Sequence, residues 1–272
     1  MGLPDYRALV VRVERVEAPS RCPLVVFFAG MDARALPVNQ VRCAGEGVSI
    51  ASIYHGPRDK SGWPTLRSAA RAALRNLKNE LQPSQVIVIA ESLGAVFALS
   101  ALVVEPLLVD RLVLVNSATA FRSSSLVGAG AALLPVLRID SSGKLLYPLA
   151  ATVLWRFLTS PDRVDPENIT PGPVMQLPSV NVSSAPLEAA EHRLRLIRRP
   201  PFRDREITNK ITMPTLIVAS GKDMIFDSTR EASRLADLIP DSSVQELPSC
   251  GHACLLETNV DIFRILRAND FL

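Results

Sequence analysis

Short, continuous runs of apolar and mostly β-branched residues recur along the chain and constrain its fold more than any other feature. Most of them do not alternate apolar with polar residues, which is typical of strands buried on both faces of a parallel sheet. Helical patterns separate the runs, and strands that alternate with helices indicate right-handed crossovers in an open α/β sheet. The predicted strands cover residues 24–29, 48–54, 86–90, 112–115, 215–219 and 243–247.

Two of the intervening segments carry clear signals of a helix start. Residues 64–81 form an apolar stripe at helical spacing, with Pro64 in the first turn, where proline is tolerated. Residues 228–239 begin with Ser228 and Glu231 at the spacing of a capping box. Both segments are therefore predicted to be helices that pack on the sheet.

The alternation of strands and helices is interrupted once. The middle of the interrupting segment is rich in proline, which disfavours continuous helix and interior strand, and its last part predicts one helix over residues 186–199. An insertion at this point would lie over the carboxyl ends of the strands, where open α/β sheets bind ligands. We therefore divide the chain into a core of residues 1–120 and 206–272 and a lid (cap) insertion of residues 121–205.

Composition excludes several classes of protein. The formal charge of +3 is small, and the chain has no zinc-finger spacing and no aromatic RNA-binding signature, so we expect no nucleic-acid partner. The longest apolar candidate for a membrane span, residues 145–155, is short and contains Pro148. Residues 1–10 show neither a secretory nor a myristoylation pattern. The sequence leaves the oligomeric state unknown.

Four cysteines in 272 residues do not make a disulfide framework and indicate a reducing compartment. Cys250 and Cys254 flank His252 in the segment CGHAC, but this spacing matches no standard structural zinc site. We therefore expect no metal and no other cofactor. A zinc protein built on these three residues is the hypothesis that we rank last.

The segment VIVIAESLGAVFAL places a serine between a predicted strand and a predicted helix. Ala90, Ser92 and Gly94 fit the pattern of the nucleophile elbow, a strained turn that exposes a serine hydroxyl at the carboxyl edge of the sheet. Because this turn is crowded, the residues two before and two after the serine must be small, although alanine stands where glycine is usual. We predict that Ser92 is a nucleophile. The alternative is that Ser92 only caps the following helix.

A serine hydroxyl is a weak nucleophile at neutral pH, so this interpretation requires a histidine base and an acid that orients it. In this kind of strand–turn–helix fold the chain order is Ser, acid, His. Of the three histidines, His55 precedes Ser92 and resembles a loop residue, and His192 lies on the surface of the predicted lid helix. His252 follows the last predicted strand and is therefore predicted to be the base.

Two aspartates follow the strand predicted over residues 215–219. Asp227 directly precedes Ser228 and is better explained by the start of a helix. Asp223 lies on the turn itself, so we predict that it orients His252. The alternative for Asp223 is an Asx turn after the strand.

Acyl transfer also requires N–H donors for the negative oxygen of the tetrahedral intermediate. One comes from the residue after the serine, which is Leu93, and the other from the loop after an early strand. In the segment FFAGMDA the candidate for this second donor is the backbone N–H of Met31.

Four segments, FAGMDA, AESLGAVFALSALVVEPLLVDRLVLVNSATAF, LIVASGKDMIF and SCGHACLLE, resemble the hydrolase half of the plant and algal phytyl ester synthase / diacylglycerol acyltransferase-like esterase family. The resemblance implies an α/β-hydrolase fold with Ser92, Asp223 and His252 at the triad positions. It also implies acyl transfer to phytol or diacylglycerol at thylakoids or plastoglobules; without it, we expect a cytoplasmic protein. Plant members carry a second half with a His-x-x-x-x-Asp motif, which no histidine here matches.

The sequence therefore predicts an enzyme, a serine esterase or lipase-like hydrolase or acyltransferase, that acts on a hydrophobic lipid, phytyl or acylglycerol type of ester. Small-ester and thioester substrates stay open. The alternative is a non-catalytic protein of the same fold that binds a lipid or a partner. A group of arginines near the end of the lid could meet an anionic membrane surface or a phosphopantetheine carrier, or could form a solvated face. The group comprises Arg193, Arg195, Arg198, Arg199, Arg203 and Arg205.

Overall fold

A mixed sheet of seven strands forms the centre of the protein in a computed structural model, which describes residues 9–16, 21–31, 35–56, 59–119 and 185–272. In this part of the chain the strand order is β1-β3-β2-β4-β5-β6-β7, and every neighbouring pair is parallel except β1 and β3. The strands are β1 (Leu9–Arg15), β2 (Leu24–Phe28), β3 (Ser49–His55), β4 (Val86–Glu91), β5 (Arg111–Val115), β6 (Thr215–Ser220) and β7 (Ser242–Leu247).

The six predicted strands are confirmed, and β1 was missed. The residues of β2 are all buried, which explains their uniformly apolar sequence. By contrast, β1 lies at an edge, pairs only with β3, and exposes part of its length. An edge strand is not covered on both faces, so its sequence LVVRVER carries a weaker signal than the buried runs.

Helices cover both faces of the sheet. One apolar cluster takes in residues of α2, α3 and α6, and a second, on the opposite face, takes in residues of α7 and of the region around α1. The described helices are α1 (Val38–Cys43), α2 (Trp63–Leu81), α3 (Leu93–Leu102), α4 (Ala185–Ile197), α5 (Asp204–Lys210), α6 (Ser228–Leu238) and α7 (Ile262–Ala268), with short 3-10 turns at Pro106–Leu108 and Cys254–Leu256.

The start of α6 differs from the prediction by one residue. Asp227, not Ser228, is the N-cap, and its carboxylate accepts the N–H of Arg230 at 3.2 Å. Ser228 instead donates its hydroxyl to Asp223, and Glu231 forms an ion pair with Arg234. Neither side chain of the Ser-x-x-Glu spacing caps the helix here, so the predicted capping box is wrong.

The helix predicted over residues 186–199 agrees in place with α4, which ends at Ile197, two residues before the predicted end. The remainder of the predicted lid, residues 121–184, lies outside the described residues. Among the described helices, none has the length and apolar content needed to cross a bilayer.

Candidate active site

The turn between β4 and α3 holds Ser92 in an unusual backbone conformation. Its φ is 53° and its ψ is −116°, a combination that is sterically unfavourable for a residue with a side chain. Its N–H donates to the carbonyl of Val115 at 2.9 Å, and its carbonyl accepts the N–H of Ala118 at 3.2 Å. The end of β5 therefore stabilises the strained turn, and strain that is held in this way is a common property of functional sites.

Close packing explains why the residue two positions after Ser92 is glycine. A Cβ atom on Gly94 would lie 2.1 Å from the carbonyl oxygen of Phe28 and 2.8 Å from that of Ala29. These are backbone atoms at the end of β2, so a side chain could not be accommodated without moving the strand or the helix. The predicted requirement for a small residue is thus met at Gly94 by direct contact between α3 and β2.

The structure brings the side chains of Ser92, His252 and Asp223 together. Nε2 of His252 lies 2.9 Å from Oγ of Ser92, and Nδ1 lies 2.7 Å from Oδ2 of Asp223. Because an ionised carboxylate can only accept, Nδ1 carries the proton and Nε2 is left to accept the serine hydroxyl proton. Ser92 occupies the N-cap position of α3 but makes no capping hydrogen bond with its side chain, which argues against the helix-cap alternative.

Asp223 uses its two oxygens differently. Oδ1 accepts the N–H groups of Ile225 at 2.8 Å and of Phe226 at 3.0 Å, which closes the turn after β6. Oδ2 faces His252 and also accepts the hydroxyl of Ser228. The Asx turn that we considered as an alternative is therefore present together with the contact to His252.

The environment keeps Asp223 ionised. Its side chain is fully buried, and burial alone would raise its pKa. The positive charge that His252 can carry, together with hydrogen bonds from His252, Ser228 and the N–H of Phe226, outweighs burial, so that the pKa of Asp223 is lowered. Asp223 is thus a carboxylate at neutral pH and can stabilise a protonated imidazole.

Asn116 and Glu257 hold the loop that carries His252, and sequence analysis missed both. Asn116 follows β5 with a φ of 44°, and its Nδ2 donates to the carbonyl of His252 at 2.6 Å. Its Oδ1 accepts the N–H of Ser220 at 2.8 Å, which ties the loop to the end of β6. Glu257 accepts the N–H of Gly251 at 2.8 Å. The one sequence signal is that Asn116 is a polar residue directly after a buried strand, and this signal does not identify its partners.

The loop after β2 lies next to the serine turn. Phe28 and Ala90 are partners in the parallel ladder between β2 and β4, so both strands end at the same edge of the sheet. Met31 follows β2 on this edge, and Leu93 is the first residue of α3. Their roles as N–H donors stay predictions.

Two basic side chains near this loop differ from their predicted settings. Arg193 was grouped with exposed arginines but is 0% exposed, so that prediction is wrong. The sequence predicts a loop position for His55, yet His55 ends β3, is 2% exposed and packs edge-on against Phe97, with ring centroids 4.3 Å apart. Both belong to the interior next to the site.

His192, on α4, is half-buried rather than solvated, and its Nε2 lies 2.9 Å from the carbonyl oxygen of Ser61. The remaining arginines of the group, Arg195, Arg198, Arg199, Arg203 and Arg205, are exposed.

The cysteines beside His252 are free and buried. Burial raises the pKa of the Cys250 and Cys254 thiols, so both stay protonated at neutral pH and are poor metal ligands. Throughout the described ranges, no three His, Cys, Asp or Glu side chains are placed to hold a metal ion.

Comparison with known proteins gives one family. Residues 53–258 match the family model described as alpha/beta hydrolase fold. Phytyl ester synthase 1, chloroplastic, from Arabidopsis thaliana is 24% identical over 260 residues, which cover 90% of this chain and 36% of that protein. The chain therefore spans little more than a third of the length of this relative.

Solved structures of esterases share the fold at low sequence identity. The esterase EaEST from Exiguobacterium antarcticum has a TM-score of 0.70 and 18% identity, covering 96% of this chain and 94% of that chain. A thermophilic esterase from Thermogutta terrifontis has a TM-score of 0.69 and 17% identity, covering 96% and 92%. The predicted fold class is thus confirmed, and the family match supports the predicted hydrolase class of enzyme.

Proposed function

Because the chain belongs to the α/β-hydrolase fold family, we propose that it cleaves or transfers the acyl group of a hydrophobic ester through Ser92, His252 and Asp223. The observation that carries the proposal is the continuous hydrogen-bonded chain from Asp223 through His252 to Ser92, with distances of 2.7 and 2.9 Å. A nucleophile, a base and an orienting acid in this geometry are the elements of acyl transfer.

In the proposed acylation step, Oγ of Ser92 attacks the ester carbonyl carbon while Nε2 of His252 takes the hydroxyl proton. The π electrons of the carbonyl move to its oxygen and give a tetrahedral oxyanion. When this intermediate collapses, the C–O bond to the alcohol breaks, and the leaving oxygen receives the proton from Nε2. The acyl group is then held as an ester of Ser92.

Deacylation repeats the chemistry with a second oxygen nucleophile. Water or an alcohol attacks the carbonyl carbon of the acyl-enzyme and gives its proton to Nε2. When the second tetrahedral intermediate collapses, the bond between the acyl carbon and Oγ of Ser92 breaks, and Oγ takes the proton from Nε2. Water yields hydrolysis, and an alcohol yields transfer. The ionised Asp223 keeps the imidazole in the required tautomer in both steps. We propose the N–H groups of Leu93 and Met31 as donors to the oxyanion.

We propose a lipid-type ester as the substrate, which covers phytyl and acylglycerol esters. The likeness to phytyl ester synthase 1 supports this class, and it extends over 90% of this chain. The same likeness covers only 36% of that relative. We therefore include the alcohol acceptor and a plastid location in the proposal.

The first test is labelling of the purified protein with a fluorophosphonate, which phosphonylates an activated serine. We expect wild type to label and Ser92→Ala to remain unlabelled. Ser100→Ala is the matched control, because Ser100 lies on α3 and is buried, but its hydroxyl donates to the carbonyl of Phe97 and not to a base. This control should label like wild type.

Turnover of p-nitrophenyl esters of increasing chain length then tests the substrate class. Rates that rise toward long chains in wild type, with a loss of at least about a thousandfold in Ser92→Ala, would support the proposal. A folded wild-type protein that neither labels nor turns over any ester would instead favour a lipid- or partner-binding protein of the same fold.

A further inference from the structure

We infer that Arg193 is a positioning residue that holds the loop after β2 in the geometry required for stabilising the oxyanion. The inference rests on the proposed function, since it concerns the Met31 donor of that same site. It assigns a role to a side chain that comes from α4, far along the chain from the rest of the site.

Arg193 joins two loops at the carboxyl edge of the sheet. Its Nη1 donates to the carbonyl of Met31 at 2.8 Å, and its Nη2 donates to the carbonyl of Gly56 at 3.0 Å. These acceptors follow β2 and β3, which pair in parallel up to Phe28 and Ile53. One guanidinium group therefore fixes the distance between the loop that carries Met31 and the loop after β3.

Burial distinguishes these two hydrogen bonds from the contacts of a surface arginine. Arg193 is 0% exposed and is the largest of the fully buried side chains among the described residues. A buried guanidinium costs free energy unless its donors are well paired, and its planar fork holds two acceptors in a fixed relation. The bonds to Met31 and Gly56 thus act as a rigid connection.

The connection bears directly on the proposed donor. The carbonyl that Arg193 holds and the N–H that would meet the oxyanion are separated only by the φ and ψ rotations of Met31, so anchoring the carbonyl limits the backbone rotations that would turn the N–H away from the site. A displacement of about 1 Å in a reacting group can cost about a hundredfold in rate. The positive charge next to this residue also favours negative charge developing nearby.

Helix α4 is itself anchored to α2, so the backbone of Arg193 is held in place. Nε1 of Trp63 donates to the carbonyl of Arg199 at 2.8 Å and lies 3.2 Å from that of Leu196. Arg67 donates to the carbonyl of Pro201 at 2.7 Å. These contacts join the C-terminal end of α4 and the residues after it to the first turns of α2.

The test compares Arg193→Met, which removes every donor, with Arg193→Lys, which keeps the charge and one donor group. Arg195→Gln is the control, because Arg195 lies on the same helix and its side chain is 70% exposed. Active sites are counted by end-point fluorophosphonate labelling, so that kcat refers to folded enzyme. Inhibition by an alkylboronic acid, whose boron becomes tetrahedral on binding the serine oxygen, measures affinity for the transition-state geometry.

We expect Arg193→Met to lower kcat by about tenfold to a hundredfold with KM changed by less than about threefold, because the loss falls on the transition state. Boronate affinity should fall in proportion to kcat/KM, Arg193→Lys should lie between Arg193→Met and wild type, and Arg195→Gln should match wild type. If Arg193→Met does not fold, kcat per labelled site and boronate affinity of Arg193→Lys alone decide whether Arg193 positions the loop.

A purely structural role predicts a different pattern. Fewer active sites would be labelled by the fluorophosphonate, but kcat per labelled site and boronate affinity would be unchanged. That result in the variants, with an active wild type, would overturn this inference and leave the proposed function intact. A wild type without labelling or turnover would overturn both.

Discussion

At the scale of single residues, the site depends on side chains whose partners are far away in sequence. The clustering of Ser92, Asp223 and His252 could be predicted because each lies in a loop or turn that follows a predicted strand, in the chain order expected for this fold. Asn116 and Arg193 could not, because both act on backbone carbonyls of distant loops, at His252 and at Met31 and Gly56. A carbonyl acceptor leaves no trace in the identity of its residue.

His55 gives a residue-scale prediction about pH. Burial lowers the pKa of His55 to about 4, whereas an unfolded histidine titrates near 6.5. Between these values the unfolded state binds more protons, so stability should rise with pH through this window and be lost on acidification. From pH 7 to pH 5 we expect His55 to account for a loss of about 2 kcal/mol in the free energy of unfolding.

Urea unfolding at both pH values measures this loss, and His55→Leu should remove it. Ile53→Val is the control, because it changes the core on the same strand without removing a titrating group. It should lower stability at both pH values and keep the wild-type difference between them. An equal difference in His55→Leu would show that His55 does not cause it.

At the scale of elements, the contact between α3 and β2 determines the shape of the serine turn. The residues of α3 are all buried, and its first turn lies against the carbonyls of Phe28 and Ala29. The pattern of small residues predicted this crowding in general terms, but the partner strand could not be predicted. It follows from the sheet order, which places β2 beside β4 and not beside β1.

Gly94→Ala should therefore destabilise the protein by at least about 3 kcal/mol and abolish esterase activity, since the added methyl group meets backbone on the end of β2. Gly62→Ala is the matched control. A Cβ atom on Gly62 would have its nearest neighbour beyond the adjacent residues, Cδ of Pro64, at 3.7 Å, and we expect a loss of stability below about 1 kcal/mol. Thermal unfolding and ester turnover measure both variants, and equal stability of the two would contradict the packing argument.

At the scale of the whole molecule, polar contacts join α4 to the sheet core. The helix could be predicted from its sequence and its terminating prolines, but its docking could not. Trp63 and Arg67 donate to backbone carbonyls, and the carbonyl of Ser61 contacts the ring of His192, in each case across more than a hundred residues of chain. The core sheet was easier to predict because strands buried on both faces require continuous apolar runs. The docking of a helix through polar contacts imposes no comparable pattern on the sequence.

Trp63→Phe should loosen this docking and leave the core intact. The ring contact with Phe97 can be retained, while the indole N–H to Arg199 is lost. A hydrogen bond of this kind is worth about 1 kcal/mol, which corresponds to about fivefold in an opening equilibrium. Trypsin cleavage after Arg195 and Arg198, mapped by mass spectrometry, should accelerate by that factor under native conditions.

Lys78→Gln is the control for this experiment, because Lys78 lies on α2 but donates to the carbonyl of Leu107, away from α4. Its cleavage after Arg195 and Arg198 should match wild type. If Trp63→Phe is cleaved no faster than wild type at these two arginines, the indole contact does not hold the helix.

The order of the strands along the chain also determines the order in which the residues of the site are synthesised. Strands β5 and β6 are neighbours in space, although residues 116–214 lie between them in the chain. Ser92 precedes this segment, and Asp223 and His252 follow it. Since a chain is synthesised from its N-terminus, the proposed nucleophile emerges long before its proposed base. A growing chain therefore holds Ser92 without His252 until the segment after β7 is made, and we expect no acyl transfer through the proposed triad before then.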